Sequence, residues 1–459
     1  MSSAVGFFGG LRERVQQLTG SGSGSLRERA IQGGGILLIG DLYQNGLRLV
    51  ANLIMTRLLF PEAFGLMLII NLVFTGLSMM SDLGIRSAII VRKDDIDDEY
   101  LRTAWTMGIL RGVVLGAIAL ALAHPVSVLY GEPELFGLIA MVSIAPVIQS
   151  LTSPQPILAE KGVRFGRVVI WNSATQTVAL VILVGLLLVW PTVWVLAAHG
   201  IISAIIAAIS SYRIFPGPRM KLAWRTEDAW EIFRFGRWVF IATGLTFLAR
   251  QGDSLIISKW MTAEELGVFS IAVTFAKLVE MLVERLSWSL LFPVYAEIQA
   301  GAGERFNLQL RKVKLVLYSM CAPIVLVFSL FGRDIVTLLY DPRYHGAGWM
   351  LEIMAAGSVF FAAGAAILNI PMSFGDSYRH MWLQVFRFVV LLIIMTIGGY
   401  TAGVTGLVIG IAVSQMLFYP ILRLVTHKYE IRDYLPDILF LVTIVGVIAL
   451  VWYLRGWPV

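Results

Sequence analysis

The chain has 459 residues, 58% of them apolar and only 14% charged, with a mean hydropathy of +0.78 and a formal net charge of +6. Soluble domains run at about 45–50% apolar and about 25% charged, which excludes a soluble enzyme, a disordered chain, a coiled coil and a disulfide scaffold. What fits is an all-α, polytopic membrane protein, whose 13 Trp suit membrane interfaces and whose 43 Gly allow close helix approach.

From the N-terminus, residues 1–30 are expected to form a cytoplasmic segment. A short amphipathic piece leads into Gly20-Ser21-Gly22-Ser23-Gly24-Ser25, a flexible linker by composition. No Lys-Ser or Lys-Thr follows these glycines, so they do not read as a phosphate loop. The apolar run Val5–Gly9 is too short for a secretory signal, and Arg12, Glu13 and Arg14 follow it.

At about 20 apolar residues per span, thirteen transmembrane helices are predicted. They lie at approximately 31–57, 64–84, 103–123, 135–158, 167–189, 192–212, 236–258, 265–290, 313–332, 347–370, 378–399, 402–422 and 434–454. Pro146, Pro154, Pro156 and Pro323 interrupt them, which neighbouring helices can tolerate by re-satisfying freed backbone groups. The expected organisation is a first six-helix bundle (31–213), a cytoplasmic linker (214–235), a second bundle (236–426) and an extra C-terminal transmembrane helix (427–459). Of the 36 Lys and Arg, 25 fall in one alternating set of loops and 5 in the other, which places the N-terminus in the cytoplasm. The same asymmetry explains the basic balance without invoking nucleic acid.

Cys321 sits in an apolar run and reads as buried packing; a single cysteine forms no internal disulfide. The acidic run Asp94, Asp95, Asp97, Asp98, Glu99 lacks the central glycine and closing glutamate of an EF-hand, so it reads as a solvated loop. No metal and no cofactor is expected.

Sliding the chain against itself by 202 residues aligns Arg48–Ile69 with Arg250–Ile271 without gaps. The identical pairs are Arg48/Arg250, Leu53/Leu255, Ile54/Ile256, Glu62/Glu264, Gly65/Gly267 and Ile69/Ile271. Both copies fall on the end of one predicted span and the start of the next, and the offset covers six helices. Six is even, so the copies cross the membrane in the same sense. The implied architecture is two parallel-repeat six-helix bundles around a central cleft.

Three stretches carry a family likeness: Leu53-Ile-Met-Thr-Arg-Leu-Leu-Phe-Pro-Glu-Ala-Phe-Gly-Leu66 with Ser81-Asp-Leu-Gly-Ile85, its echo Asp253-Ser-Leu-Ile-Ile-Ser-Lys-Trp-Met-Thr-Ala-Glu-Glu-Leu-Gly-Val268, and Leu291-Phe-Pro293. They resemble the oligosaccharide (polysaccharide) flippases of the multidrug/oligosaccharidyl-lipid/polysaccharide exporter superfamily. The likeness in overall plan covers about residues 31–430. It implies twelve to fourteen helices and a multi-pass place in the bacterial inner membrane. It also implies transfer of polyprenyl-diphosphate-linked oligosaccharide repeat units for lipopolysaccharide or exopolysaccharide biosynthesis, with a polymerase and chain-length machinery as partners.

Ionisable residues within spans are costly and face protein or a water-filled cavity. Asp41 and Arg48 are seven apart on the first span and share a face. Arg250 and Asp253 are three apart on the seventh, within reach of each other. Lys277, Glu280 and Glu284 form a mixed-charge stripe on the eighth. These three helices can line one polar cleft. On the functional reading Arg48, Arg250 and Lys277 attract a diphosphate. Asp41, Asp253, Glu280 and Glu284 are then the coupling or cleft-polar groups, able to carry a proton or sodium or to bind sugar hydroxyls. The competing reading is that the same charges only pair and fix helix packing. Arg111, Glu352 and Arg387 sit nearer span ends, where packing or snorkelling is favoured.

An enzyme is not expected. The outer loops are short, the five histidines are scattered, and His-Glu-x-x-His, Gly-x-Ser-x-Gly and Walker patterns are missing from the sequence. The other function class in view is a cation-coupled multidrug exporter of the same superfamily. The acids Asp41, Asp253, Glu280 and Glu284 suit its cargo, whereas Arg48, Arg250 and Lys277 suit a diphosphate.

Overall fold

The structure, a computed structural model, describes residues 26–81, 83–92, 96–162, 165–298, 303–368, 370–373, 376–429 and 434–456. The Gly20–Ser25 linker, Asp94 and Asp95 therefore lie outside the described residues. In chain order the α-helices are α1 (Leu26–Leu58), α2 (Pro61–Met79), α3 (Ile85–Val91), α4 (Asp98–Tyr130), α5 (Glu134–Val142), α6 (Ala145–Ser150), α7 (Gln155–Lys161) and α8 (Phe165–Val189). They continue with α9 (Val193–Ile214), α10 (Thr226–Trp260), α11 (Ala263–Ile298), α12 (Gly303–Leu339), α13 (Ala347–Leu368), α14 (Ile370–Ser373), α15 (Ser377–Thr426) and α16 (Leu435–Arg455). The described residues contain no strand.

Nine helices among the described residues are long and apolar enough to cross a membrane, or ten if one bent pair is a single span. Thirteen were expected, and the differences have local causes. The window 135–158 is split into α5, α6 and α7, with a bend of 58° before α7. Pro146 opens α6 and Pro156 opens α7, where a residue without an N–H costs no helix bond. The two windows 378–399 and 402–422 are two helices that run on as α15 and fold back on each other at Ala402 and Gly403, so closely that a Cβ on Gly398 would overlap the carbonyl oxygen of Gly406; the pair counts once among the nine. Gly403 has φ 57° and ψ −135°, a conformation open to glycine. The windows at 31–57 and 236–258 are helical as parts of α1 and α10, but neither is among the nine apolar helices.

Two compact units emerge: Met1–Leu59 with Val73–Leu245, and Phe60–Leu72 with Thr246–Val459. In the first, α8 packs on α1 and α9, and α4 on α5 and α6. In the second, α13 is the core, contacting α11, α12, α15 and α16. Its sequence explains that position, because small residues let neighbouring backbones close in. A Cβ at Gly348 would lie 2.7 Å from Arg333 Cα of α12, and one at Gly357 would lie 2.7 Å from Ala412 Cα of α15. Cys321 is buried on α12 in this core.

The second unit also holds the crossing of α2 and α11, where the repeat becomes visible. A Cβ on Gly65 would overlap the carbonyl oxygen of Ala263, and one on Gly267 would overlap that of Pro61. Pro61 and Ala263 are themselves a pair aligned by the 202-residue offset, so the contact is reciprocal. The helix starts are built differently. Thr262 and Glu265 form a reciprocal capping box on α11, at 2.9 and 3.3 Å between amide and side-chain oxygen. In the first copy those positions are Phe60 and Ala63, and Pro61 opens the helix instead.

Candidate functional site

The stripe expected on the eighth span lies on α11, in the second unit. Lys277 is exposed, and its Nζ donates to Gln251 Oε1 of α10 at 3.3 Å. Three residues on, half-buried Glu280 accepts from Gln415 Nε2 of α15 at 3.4 Å. Half-buried Glu284 follows a turn later. The stripe is thus a row of polar groups joining α11 to a helix on either side. Arg250 and Asp253 are on α10, but their side chains lie outside the described residues. Asp41 and Arg48 are on α1 in the first unit, half-buried and exposed respectively. On another side of α1, Tyr43 and Thr177 of α8 share a 2.8 Å hydrogen bond between hydroxyls. The exposed cations and half-buried acids give the two sets of helices polar faces in an otherwise apolar chain.

The three charges read as packing have identifiable partners. Arg111 donates to Ser78 O at 2.8 Å and to Ser81 Oγ at 3.2 Å, capping the end of α2. Arg387 lies over the Phe361 ring at 5.0 Å. Glu352, buried in α13, accepts the amide of Arg333 at 3.0 Å beside a break in α12 at Phe331. The same break frees two carbonyls. Trp452 Nε1 donates to Ser329 O, and Arg455 donates to Leu330 O, both at 3.0 Å. Both donors come from α16, so the freed backbone groups in this apolar setting are satisfied by side chains. Pro323, the expected interruption of this span, sits inside α12 eight residues earlier.

A second polar centre was not legible beforehand. Asp437 and Lys314 have fully buried side chains 3.1 Å apart. Tyr318 donates to Asp437 at 2.7 Å and Tyr419 at 3.1 Å, and Arg423 pairs with the same carboxylate. Lys314, Arg423 and Asp437 lie at or beside the ends of the predicted windows 313–332, 402–422 and 434–454, where charges are ordinary. The available signal was spacing: Lys314/Tyr318 and Tyr419/Arg423 are i,i+4 pairs, each a cation and a phenol on one helix face.

The acidic run also departs from a plain solvated loop. Asp97 caps α4 by accepting the Tyr100 amide at 2.9 Å, and it receives the Arg225 guanidinium at 2.9 Å. First the guanidinium, then the amide, hold its carboxyl below the usual range. Arg225 also pairs with Glu99 and Asp228, which ties the linker to the first unit.

Among curated proteins, the chain is 23% identical over 446 residues to the lipopolysaccharide biosynthesis protein WzxC of Escherichia coli (strain K12), covering 94% of this chain and 89% of that one. It is 22% identical over 344 residues to the succinoglycan biosynthesis transport protein ExoT of Rhizobium meliloti (strain 1021), covering 74% and 69%. Two solved structures share the fold at a TM-score of 0.65. One is the lipid II flippase MurJ in an inward closed conformation, at 11% identity and covering 91% of this chain and 98% of that one. The other is an inward-facing multidrug resistance MATE family transporter of the MOP superfamily, at 15% identity and covering 85% and 96%. Residues 54–348, more than half of the sequence, match the family described as "Polysaccharide biosynthesis protein", and the chain belongs to that family.

Proposed function

We propose that this protein is a transporter, not an enzyme. It moves polyprenyl-diphosphate-linked oligosaccharide repeat units across the bacterial inner membrane by alternating access, for surface or exopolysaccharide biosynthesis. The observation carrying this reading is family membership joined to a polar stripe on an otherwise apolar helix core. Curated relatives named for lipopolysaccharide and succinoglycan biosynthesis support the cargo class, and the fold shared with a lipid II flippase agrees with it.

In this reading the two six-helix bundles span 31–213 and 236–426 around a central cleft, joined by a cytoplasmic linker. The N-terminus faces the cytoplasm, where Lys and Arg concentrate. Arg48, Arg250 and Lys277 meet the diphosphate, because guanidinium and ammonium donors suit its charge and oxygens. Asp41, Asp253, Glu280 and Glu284 line the cleft and couple transport to an ion gradient. A polymerase and chain-length machinery consume the delivered unit.

Deleting the gene tests the reading. Polyprenyl-linked oligosaccharide should accumulate while surface polymer disappears, with the trapped species measured by mass spectrometry. Unchanged lipid intermediates together with altered resistance to cationic drugs would favour the multidrug exporter instead, the reading that the acids and the fold shared with a drug transporter keep in view. Coupling is checked in vesicles: transport that ignores imposed pH and sodium gradients removes that role from Glu280 and Glu284.

A further inference from the structure

The connector between α9 and α10 is not a slack loop. The amide of Ala223 donates to Thr106 Oγ1 at 3.1 Å, and that of Arg225 donates to Thr103 Oγ1 at 3.2 Å, both on α4. Alternate residues of this pinned stretch turn outward, leaving Leu222 71% and Trp224 55% exposed. At the start of α10, Trp230 is 61% exposed and stacks on exposed Phe233, with ring centroids 5.7 Å apart. Arg219, Lys221 and Arg234, near these apolar groups in sequence, are exposed as well. The neighbouring acids are mostly engaged: Asp228 is buried against Arg225, exposed Asp97 and Glu99 pair with the same guanidinium, Asp98 pairs with Arg102 at 3.8 Å, and Glu231 pairs with Arg92 at 3.4 Å. Glu227 remains as an exposed acid. All these residues belong to one compact unit.

Two exposed indoles and a leucine are unfavourable in water, yet the hydrogen bonds to α4 hold the backbone that carries Leu222 and Trp224, and Trp230 is held by its place on α10 and its stack on Phe233. Amphipathic rings flanked by cations match one environment, the headgroup layer of an anionic bilayer. We infer that the connector and the first turns of α10 form a docking surface for anionic phospholipid headgroups. Trp224 and Trp230 seat in the interface, while Arg219, Lys221 and Arg234 hold the phosphates. The assignment is independent of what the transporter carries, since it needs only a chain that spans a membrane.

The test uses full-length protein in uncharged detergent, titrated with phosphatidylglycerol or phosphatidylcholine and read by native mass spectrometry. The parent should retain phosphatidylglycerol in preference to phosphatidylcholine. The variant R219Q/K221Q/R234Q should bind phosphatidylglycerol about a hundredfold more weakly, at roughly fivefold per cation. R219K/K221R/R234K should bind as the parent does, showing that charge and not folding is responsible. W224A/W230A should weaken retention of both lipids. Equal binding of the two lipids by the parent, or undiminished phosphatidylglycerol binding by the triple Gln variant, overturns the proposal. So does displacement of the lipid by millimolar inorganic diphosphate, which would mark a free-phosphate site. Loss of a dimer mass in W224A/W230A without change in lipid retention would assign the surface to a second copy of the chain and also overturn it.

Discussion

A carboxylate shielded from water is stable only while its charge is answered, and Asp437 is answered twice over by Lys314 and Arg423. Two phenols occupy further lone pairs. Removing the anion leaves two cations facing each other in the core, which is far costlier than losing one hydrogen bond. Asp437→Asn should therefore cost roughly 3–5 kcal/mol, seen as a lower unfolding temperature in detergent. Tyr318→Phe, which deletes the hydroxyl's bond to the Asp437 carboxylate, should cost about 1.5–3 kcal/mol. Equal unfolding temperatures for Asp437→Asn and the parent would show that the cluster is not structural. Single residues are also where the local sequence says least. Asp41, Arg48, Lys277, Glu280 and Glu284 stand out because a charge inside an apolar window is anomalous. Lys314 and Asp437 sit at window edges, where charges are ordinary, and only packing shows them buried.

At the scale of elements, the α2–α11 crossing permits no side chain at either contact glycine. Gly65→Ala and Gly267→Ala should each force the helices apart and destabilise by about 1–3 kcal/mol or more. Gly185 on α8 is the control, since a Cβ there meets nothing within 4 Å. Gly185→Ala should leave stability unchanged or slightly raised, alanine being the better helix former. A thermal melt of the three variants decides it; three equal melting temperatures would mean the crossing is looser than its geometry. The breaks divide by cause. Those at Pro146 and Pro156 are legible, because the missing N–H is written in the residue. The break at Phe331 is not, because it depends on Glu352, Trp452 and Arg455 arriving from other helices to take up the freed groups.

For the whole molecule, the repeat turns single substitutions into a test of mechanism. Arg48 and Arg250 occupy equivalent positions in the two copies, and the proposed diphosphate site draws on both. Arg48→Ala and Arg250→Ala should each abolish glycan export while membrane insertion and expression stay at parental level. Normal surface polymer in both variants at native expression would remove the arginines from the site and leave them a packing role. A single arginine proving essential would mean that the repeat is preserved in fold but not in use.

Membrane residence, the helical class and the repeat follow from the sequence by itself, because a bilayer demands apolar length and internally bonded backbone whatever the neighbours are. The glycine pair was in view as well, as an identity without a reason. Tertiary structure decided the reason, a reciprocal backbone contact at Gly65 and Gly267. It also decided which charges are buried and which are exposed, where α12 breaks, and how the connector is held. Each of these depends on which distant groups come within hydrogen-bonding or van der Waals range, and the local pattern of a single helix does not specify that.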